Sequence, residues 1–277
     1  MDIVVILILS IIVFILFLIL FKVSWKNLMT IKKLGEDKEL NEITNVLPDN
    51  EQVCKDILSM LGNKNVKIKH GADDSKTSLY IVATNSIVIA NIKETFTRIQ
   101  TIAHECIHSI QDKRLLWFNF IFSNIYLLYF LIATALTFFN KIPFPNILAI
   151  ILVTMSAILY IVRSYLETDA MTRARYVAKE YMETKSDLIS KENIEIIVNN
   201  YDRINENGVK LYNFNLLFGY LTKIIFFCIV AMIWNVLTQL GTDSFWDIFD
   251  PFGDGLNFFH FWNKLRPSKD VSLKQFF

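Results

Sequence analysis

The run Thr101-Ile-Ala-His104-Glu105-Cys106-Ile107-His108-Ser-Ile-Gln111 places two imidazoles and a carboxylate within five residues. If the run is helical, His104 and His108 stand one turn apart on one face, where both can grip a single metal ion. Glu105 is then turned roughly 100° around the axis, able to reach a water on that metal without becoming a ligand. His-Glu-x-x-His on a helix is the arrangement with which zinc peptidases activate water. The plainer alternative is a helix carrying two surface histidines. Apolar residues at Phe96, Ile99, Ala103, Cys106, Ile107 and Ile110 mark one buried face, and His104, His108 and Gln111 fall together on another.

A catalytic zinc generally takes three protein ligands and keeps one position for water. The candidate for the third is Glu167, in Tyr165-Leu-Glu167-Thr-Asp169-Ala170-Met-Thr-Arg173-Ala174. The competing reading pairs Glu167 with Arg163 and Asp169 with Arg173, each at i,i+4 spacing. Asp169 lies about 200° around a helix from Glu167, so both cannot face one ion. Asp169, Arg173 and Gln111 are instead candidates for orienting the ligands. His70, in a polar loop, and His260 read as ordinary surface or interface histidines.

Composition says what must position these residues. Of 277 residues 53% are hydrophobic, an excess concentrated in a few runs, which points to a membrane. Ile3–Phe21 has Ser10 as its one polar interruption and measures about 28 Å as a helix, close to a hydrocarbon thickness. Leu115–Phe139, Ile147–Val162 and Leu216–Leu240 are the other candidate spans, the last with Lys223 able to snorkel to the interface. The first run lacks a basic leader, and Phe21-Lys-Val-Ser-Trp is a poor cleavage site, so it reads as a retained anchor rather than a signal peptide. Lys22, Lys26, Lys32 and Lys33 follow the first span; Arg163, Arg173, Arg175 and Lys179 follow the third. The positive-inside rule then makes 22–114 and 163–215 cytoplasmic, and puts the 140–146 loop and both termini outside. The hairpin of spans two and three, turning near Pro143 and Pro145, returns Glu167 to the membrane face that carries His104 and His108. Cys54, Cys106 and Cys228 show no pairing pattern, which suits a reducing compartment. A net charge of +1 gives no attraction to nucleic acid.

The expected fold is an α-helical multi-pass membrane protein, about four transmembrane helices, with a small α+β metallopeptidase domain. Its parts are an anchor (1–21), a cytoplasmic domain carrying the motif (22–114), a transmembrane hairpin (115–162), a cytoplasmic helical segment with the third ligand (163–215), a last span (216–240) and an aromatic-rich tail (241–277). Within 22–114, residues 36–62 read as two short amphipathic helices broken at Pro48-Asp-Asn. Val66–Lys69 reads as a strand, and Ser78–Ala83 with Ser86–Ala90 as a hairpin about Thr84-Asn85. The motif helix is expected to start near Asn91. An exposed strand edge beside the metal would hold an extended peptide through main-chain hydrogen bonds.

These motifs resemble the YugP-like membrane zinc metallopeptidases, also called neutral zinc metallopeptidases. That family shows a His-Glu-Val-Gly-His-Ala-Ile-Gln run, two spans, then a Glu-Phe-Asp-Ala-Ser-x-Arg-Ala run. Here the first reads His104-Glu105-Cys106-Ile107-His108-Ser109-Ile110-Gln111 and the second Glu167-Thr168-Asp169-Ala170-Met171-Thr172-Arg173-Ala174. The resemblance covers roughly residues 1–240. It implies zinc held by His104, His108 and Glu167 in a gluzincin-like set, with Glu105 as the catalytic glutamate. Two departures stand out: Cys106-Ile107 replaces Val-Gly, where the bulkier Ile107 would narrow the cleft, and Thr168 and Met171 replace Phe and Ser. The segment 180–214 is also longer than the family pattern.

The function expected is a membrane-embedded, zinc-dependent endopeptidase at the cytoplasmic face, acting on peptides or membrane proteins. An oxyanion donor besides zinc would be required; Arg163, Arg173 and Tyr165 are the candidates the sequence offers. The alternative is a catalytically silent membrane scaffold or adaptor with a structural or degenerate metal site, its partner-binding feature the aromatic tail Phe245–Trp262.

Overall fold

The computed structural model describes residues 2–21, 29, 33, 37–71, 78–90, 95–139, 141 and 144–239. Helix α1 (Ile3–Phe21) is the first apolar run. Asp37 and Asp49 then cap two short helices, α2 (Lys38–Asn45) and α3 (Asn50–Met60), their carboxylates accepting the free backbone N–H groups of each first turn. The break at Pro48 is where the sequence put it.

Strands β1 (Lys67–His70), β2 (Leu79–Ile81) and β3 (Ser86–Ile89) form one sheet in the order β1-β3-β2. β2 and β3 pair antiparallel around a short 3-10 turn, Val82–Thr84, closed by Asn85 at φ 45°. Asparagine tolerates that left-handed conformation, which is why the expected hairpin turns here. β1 joins β3 in parallel, one residue later than expected. His70 therefore ends a strand rather than lying in a loop.

Helix α4 (Arg98–Ile110) carries the metal motif. It starts at Arg98, not near Asn91; Phe96 and Thr97 form a turn ahead of it, and residues 91–94 lie outside the described residues. The Phe96 N–H donates to Asn41 Oδ1 (2.7 Å), which anchors that turn on α2. Gln111 is extended and ends α4, and Asp112 caps α5 (Lys113–Phe138) by accepting from Arg114 N–H at 2.7 Å. The motif helix α4 and the long apolar helix α5 are thus separated by a two-residue corner.

Helix α6 (Pro145–Glu183) opens with proline in its first turn, and α7 (Lys191–Gln239) follows. Both are far longer than a span. The expected boundaries at 162/163 and 215/216 fall inside continuous helices, which hold two apolar clusters together. One cluster, including Val53, Ile57, Ile87, Ile99, Cys106, Tyr181 and Tyr201, surrounds α4. The other, including Ile3, Leu152, Leu159 and Phe227, joins α1, α5, α6 and α7. Those four helices are long and apolar enough to cross a membrane. Large apolar side chains such as Ile15, Leu131, Ile147 and Ile229 face outward along them.

The architecture is mostly helical with a small three-stranded sheet, as expected in coarse outline. Lys22, Lys26, Lys32, part of the 140–146 loop including Pro143, His260 and the 241–277 tail lie outside the described residues.

Candidate metal centre

Burial of Phe96, Ile99, Ala103, Cys106 and Ile107 pins one face of α4 against α3, the sheet and α6. That leaves His104 and His108 facing α6, with their Nε2 atoms 3.0 Å apart. Glu167, one residue past buried Leu166 on α6, brings Oε2 to 3.4 Å from His104 Nε2 and 3.7 Å from His108 Nε2. These three side chains offer one donor atom each within 4.8 Å of one another and could hold a metal ion. The competing Arg163–Glu167 pair does not form: Glu167 goes to the imidazoles, and the Arg163 Nε–H donates to the Tyr212 hydroxyl (3.1 Å).

Gln111 connects the two motifs. Its Oε1 lies 2.7 Å from His108 Nδ1, and its Nε2 donates to the Leu166 carbonyl and to Asp169 Oδ2, both at 2.8 Å. With Oε1 accepting from Nδ1–H, the His108 tautomer is set so that Nε2 is free for a metal. Asp169 Oδ2 in turn takes Arg173 at 3.4 Å. Asp169 therefore acts on the site through Gln111, from the helix face turned away from Glu167.

Glu105 is buried, and its Oε2 accepts the Tyr80 backbone N–H at 2.6 Å. Oε1 is left 4.0 Å from His104 Nε2. Burial pushes the Glu105 carboxyl above its usual value, opposed in part by the two imidazoles and the Tyr80 N–H. Burial alone would also raise Glu167, but hydrogen bonds and charge from both imidazoles hold it well below the carboxylate range. Burial would lower His108; the Glu167 carboxylate outweighs it and holds the imidazole above its usual value. The donor set is thus poised to be negatively charged at Glu167 near neutrality.

Several expectations are corrected. Cys106 and Ile107 are fully buried on the core side of α4, so Ile107 packs the domain and does not narrow a cleft. The Cys106 Sγ sits 3.8 Å from Cys54 Sγ, and that contact together with burial keeps its thiol protonated. Tyr165 is 63% exposed and makes no contribution to the cluster, and Arg173 is committed to Asp169. His70, by contrast, is the surface histidine expected: it is exposed and pairs with Glu51 (2.9 Å).

Two groups at the site had no local sequence signal. The Tyr80 N–H is a backbone donor on β2, an edge strand, and the pattern of side chains does not show which group an edge N–H will meet. Tyr212 comes from α7, where its hydroxyl accepts from the Arg163 Nε–H, one turn of α6 before Glu167. Among the described residues β2 has β3 as its one strand neighbour, so its other edge faces α4 and the cluster. No known protein-family model, no curated protein and no solved structure matches the chain.

Proposed function

We propose that the chain is a membrane-embedded zinc endopeptidase working at the cytoplasmic face of the cell membrane, with His104, His108 and Glu167 as ligands and Glu105 as general base. The observation that carries the reading is the triangle of donors. Zinc with arms of about 2.0–2.2 Å at tetrahedral angles sets its donors roughly 3.3–3.6 Å apart. The donor separations of 3.0, 3.4 and 3.7 Å straddle that spacing. Two imidazoles and one carboxylate also form a known zinc set, and they leave a fourth position for water or a carbonyl. The resemblance of the two motifs to the YugP-like family points the same way. The basic residues after the first and third spans favour a cytoplasmic site.

When bound, zinc would polarise a peptide carbonyl and acidify a water. The rest falls to the chain. The Tyr80 N–H fixes Glu105 Oε2, so the proton taken from the water is held on Oε1, the oxygen on the His104 side. Burial raises the Glu105 carboxyl towards the working pH, which suits a group that must accept a proton and then return it to the leaving amine. Tyr212 replaces Tyr165 as the hydroxyl offered to the developing oxyanion. Burial and the Glu167 charge hold its pKa well above the usual value, so it stays a donor. The edge of β2 that faces α4 supplies main-chain groups to align an extended substrate next to Glu105.

The test compares purified wild type with Glu105→Gln and His104→Ala, measuring zinc by elemental analysis and cleavage of an unstructured polypeptide. Zinc near one equivalent is expected in wild type and Glu105→Gln and lost in His104→Ala, with Glu105→Gln at least about 100-fold slower than wild type. Equal cleavage by wild type and Glu105→Gln would remove Glu105 from the mechanism. Retained zinc with no cleavage by wild type would leave the scaffold reading standing.

A further inference from the structure

Helices α1, α6 and α7 leave between them an open apolar furrow with a cavity of about 350 Å³, its walls including Val13, Phe17, Ala157, Tyr160, Leu217 and Ile224. Its serines are satisfied within their own helices: Ser10 Oγ donates to Ile6 O at 2.8 Å, and Ser156 Oγ to Leu152 O at 2.7 Å. The wall therefore asks for an apolar occupant.

Helix direction orients the furrow. Phe17 packs against Tyr160, with ring centroids 6.3 Å apart, at the end where Leu217 also lies. Glu167 follows Tyr160 by two turns of α6, or about 10 Å. That end points to the metal cluster and to the membrane surface beside it.

Two cations gather there. Arg163 is exposed, about one turn past Tyr160. Lys223 starts deeper on α7, but its Nζ bends back to donate to Gly219 O (3.1 Å) and lies 5.9 Å from the Tyr220 ring centroid. Each cation thus sits beside a tyrosine that lines the furrow, Arg163 one turn past Tyr160 and Lys223 over Tyr220. Among the described residues neither cation forms an ion pair with a carboxylate. Two like charges at one end of an apolar furrow complement an anion. Tyr160 and Tyr220 both line the furrow, so the cationic and apolar halves of the site are continuous.

We propose that this is a binding site for an anionic phospholipid, with an acyl chain in the furrow and the headgroup phosphate between Arg163 and Lys223. The proposal rests on reading α1, α6 and α7 as membrane spans and is independent of the peptidase reading. Inorganic phosphate satisfies the cations but not the furrow. Phosphatidylcholine fills the furrow but brings its own cation.

The experiment uses the full-length protein in detergent. Thermal unfolding is followed with added phosphatidylglycerol, phosphatidylcholine or inorganic phosphate, and phosphorus that survives detergent exchange is counted. Phosphatidylglycerol is expected to raise the midpoint of wild type by several degrees, phosphatidylcholine by less than half as much, and inorganic phosphate not at all. Lys223→Gln, which removes one cation, and Ala157→Phe, which fills the furrow without changing charge, should each lose more than half of the rise and of the retained phosphorus. Their midpoints without lipid report whether they fold. An equal rise in wild type and both variants, or a rise reproduced by inorganic phosphate, would overturn the site. No readout involves peptide cleavage, so failure here and failure of the peptidase reading are separable.

Discussion

At the level of single residues the centre depends on how protons are held. Gln111 sets the His108 tautomer from 2.7 Å and is itself tied to Asp169. Removing such a partner commonly costs 10- to 100-fold in metal affinity. Gln111→Ala should therefore weaken zinc binding by roughly that factor in a chelator competition, and Asp169→Ala by less, because Gln111 keeps its bond to Leu166 O. Tyr212→Phe should keep its zinc while kcat for peptide cleavage falls about 100-fold and KM changes little, as expected for a donor that acts in the transition state.

The same groups give a pH signature in the metal-free protein. The His108 pKa is raised by Glu167, so its stabilisation is complete below the ordinary imidazole value and is lost as pH rises through the raised one. The Glu167 pKa is lowered, so its stabilisation is present above the ordinary carboxylate value and is lost as pH falls towards the lowered one. The pair thus contributes most at about pH 5 to 6, between the unperturbed carboxylate and imidazole values. In chelator, the difference in unfolding midpoint between wild type and Glu167→Gln should peak there and shrink at pH 8.

At the level of elements, α4 is held by its ends rather than by local propensity. Its first residue, Arg98, is a cation in a helix N-terminal turn, where the dipole favours acids. Its guanidinium is buried and donates to the carbonyls of Thr44, Leu47 and Pro48 and to Asn50 Oδ1, at 2.8–3.0 Å. Those oxygens belong to the end of α2, the turn after it and the first residue of α3, so one side chain fastens the motif helix to two neighbours. Arg98→Met would strand several buried acceptors and should lower unfolding stability by about 3 kcal/mol in a denaturant titration. At the other side of α4, Gln100 Nε2 donates to Asn205 Oδ1, and the Tyr201 hydroxyl donates to Phe96 O at 2.7 Å. These bonds tie α7 to the motif helix although about a hundred residues separate them.

For the whole molecule, α6 and α7 are each one continuous helix reaching both apolar clusters, so Glu167 and Tyr212 are fixed relative to the four long apolar helices. A topology prediction follows from the basic residues after the first and third spans. Single cysteines introduced at Lys64 and Lys191 should react with a membrane-impermeant reagent only after cell lysis, and one at Lys141 should react in intact cells. Reaction of all three from the same side would overturn the hairpin.

Much of this was legible beforehand because it depends on local periodicity and composition. Helical spacing puts His104 and His108 on one face, the two amphipathic runs broken at Pro48-Asp-Asn mark α2 and α3, and long apolar runs announce the four long helices. Glu167 could be named because a hairpin of two spans must return the chain to the face it left. Directions across space were not legible. The Tyr80 N–H on Glu105, the Tyr212 hydroxyl by Glu167, the core-facing side of Ile107 and the late start of α4 at Arg98 each follow from how separate elements pack. The sequence by itself determined the chemical groups and the helices that carry them, because those follow from bonds and contacts within a few residues. Only the tertiary structure decided which groups meet at the metal centre, because burial and helix crossing are properties of residues far apart in the chain.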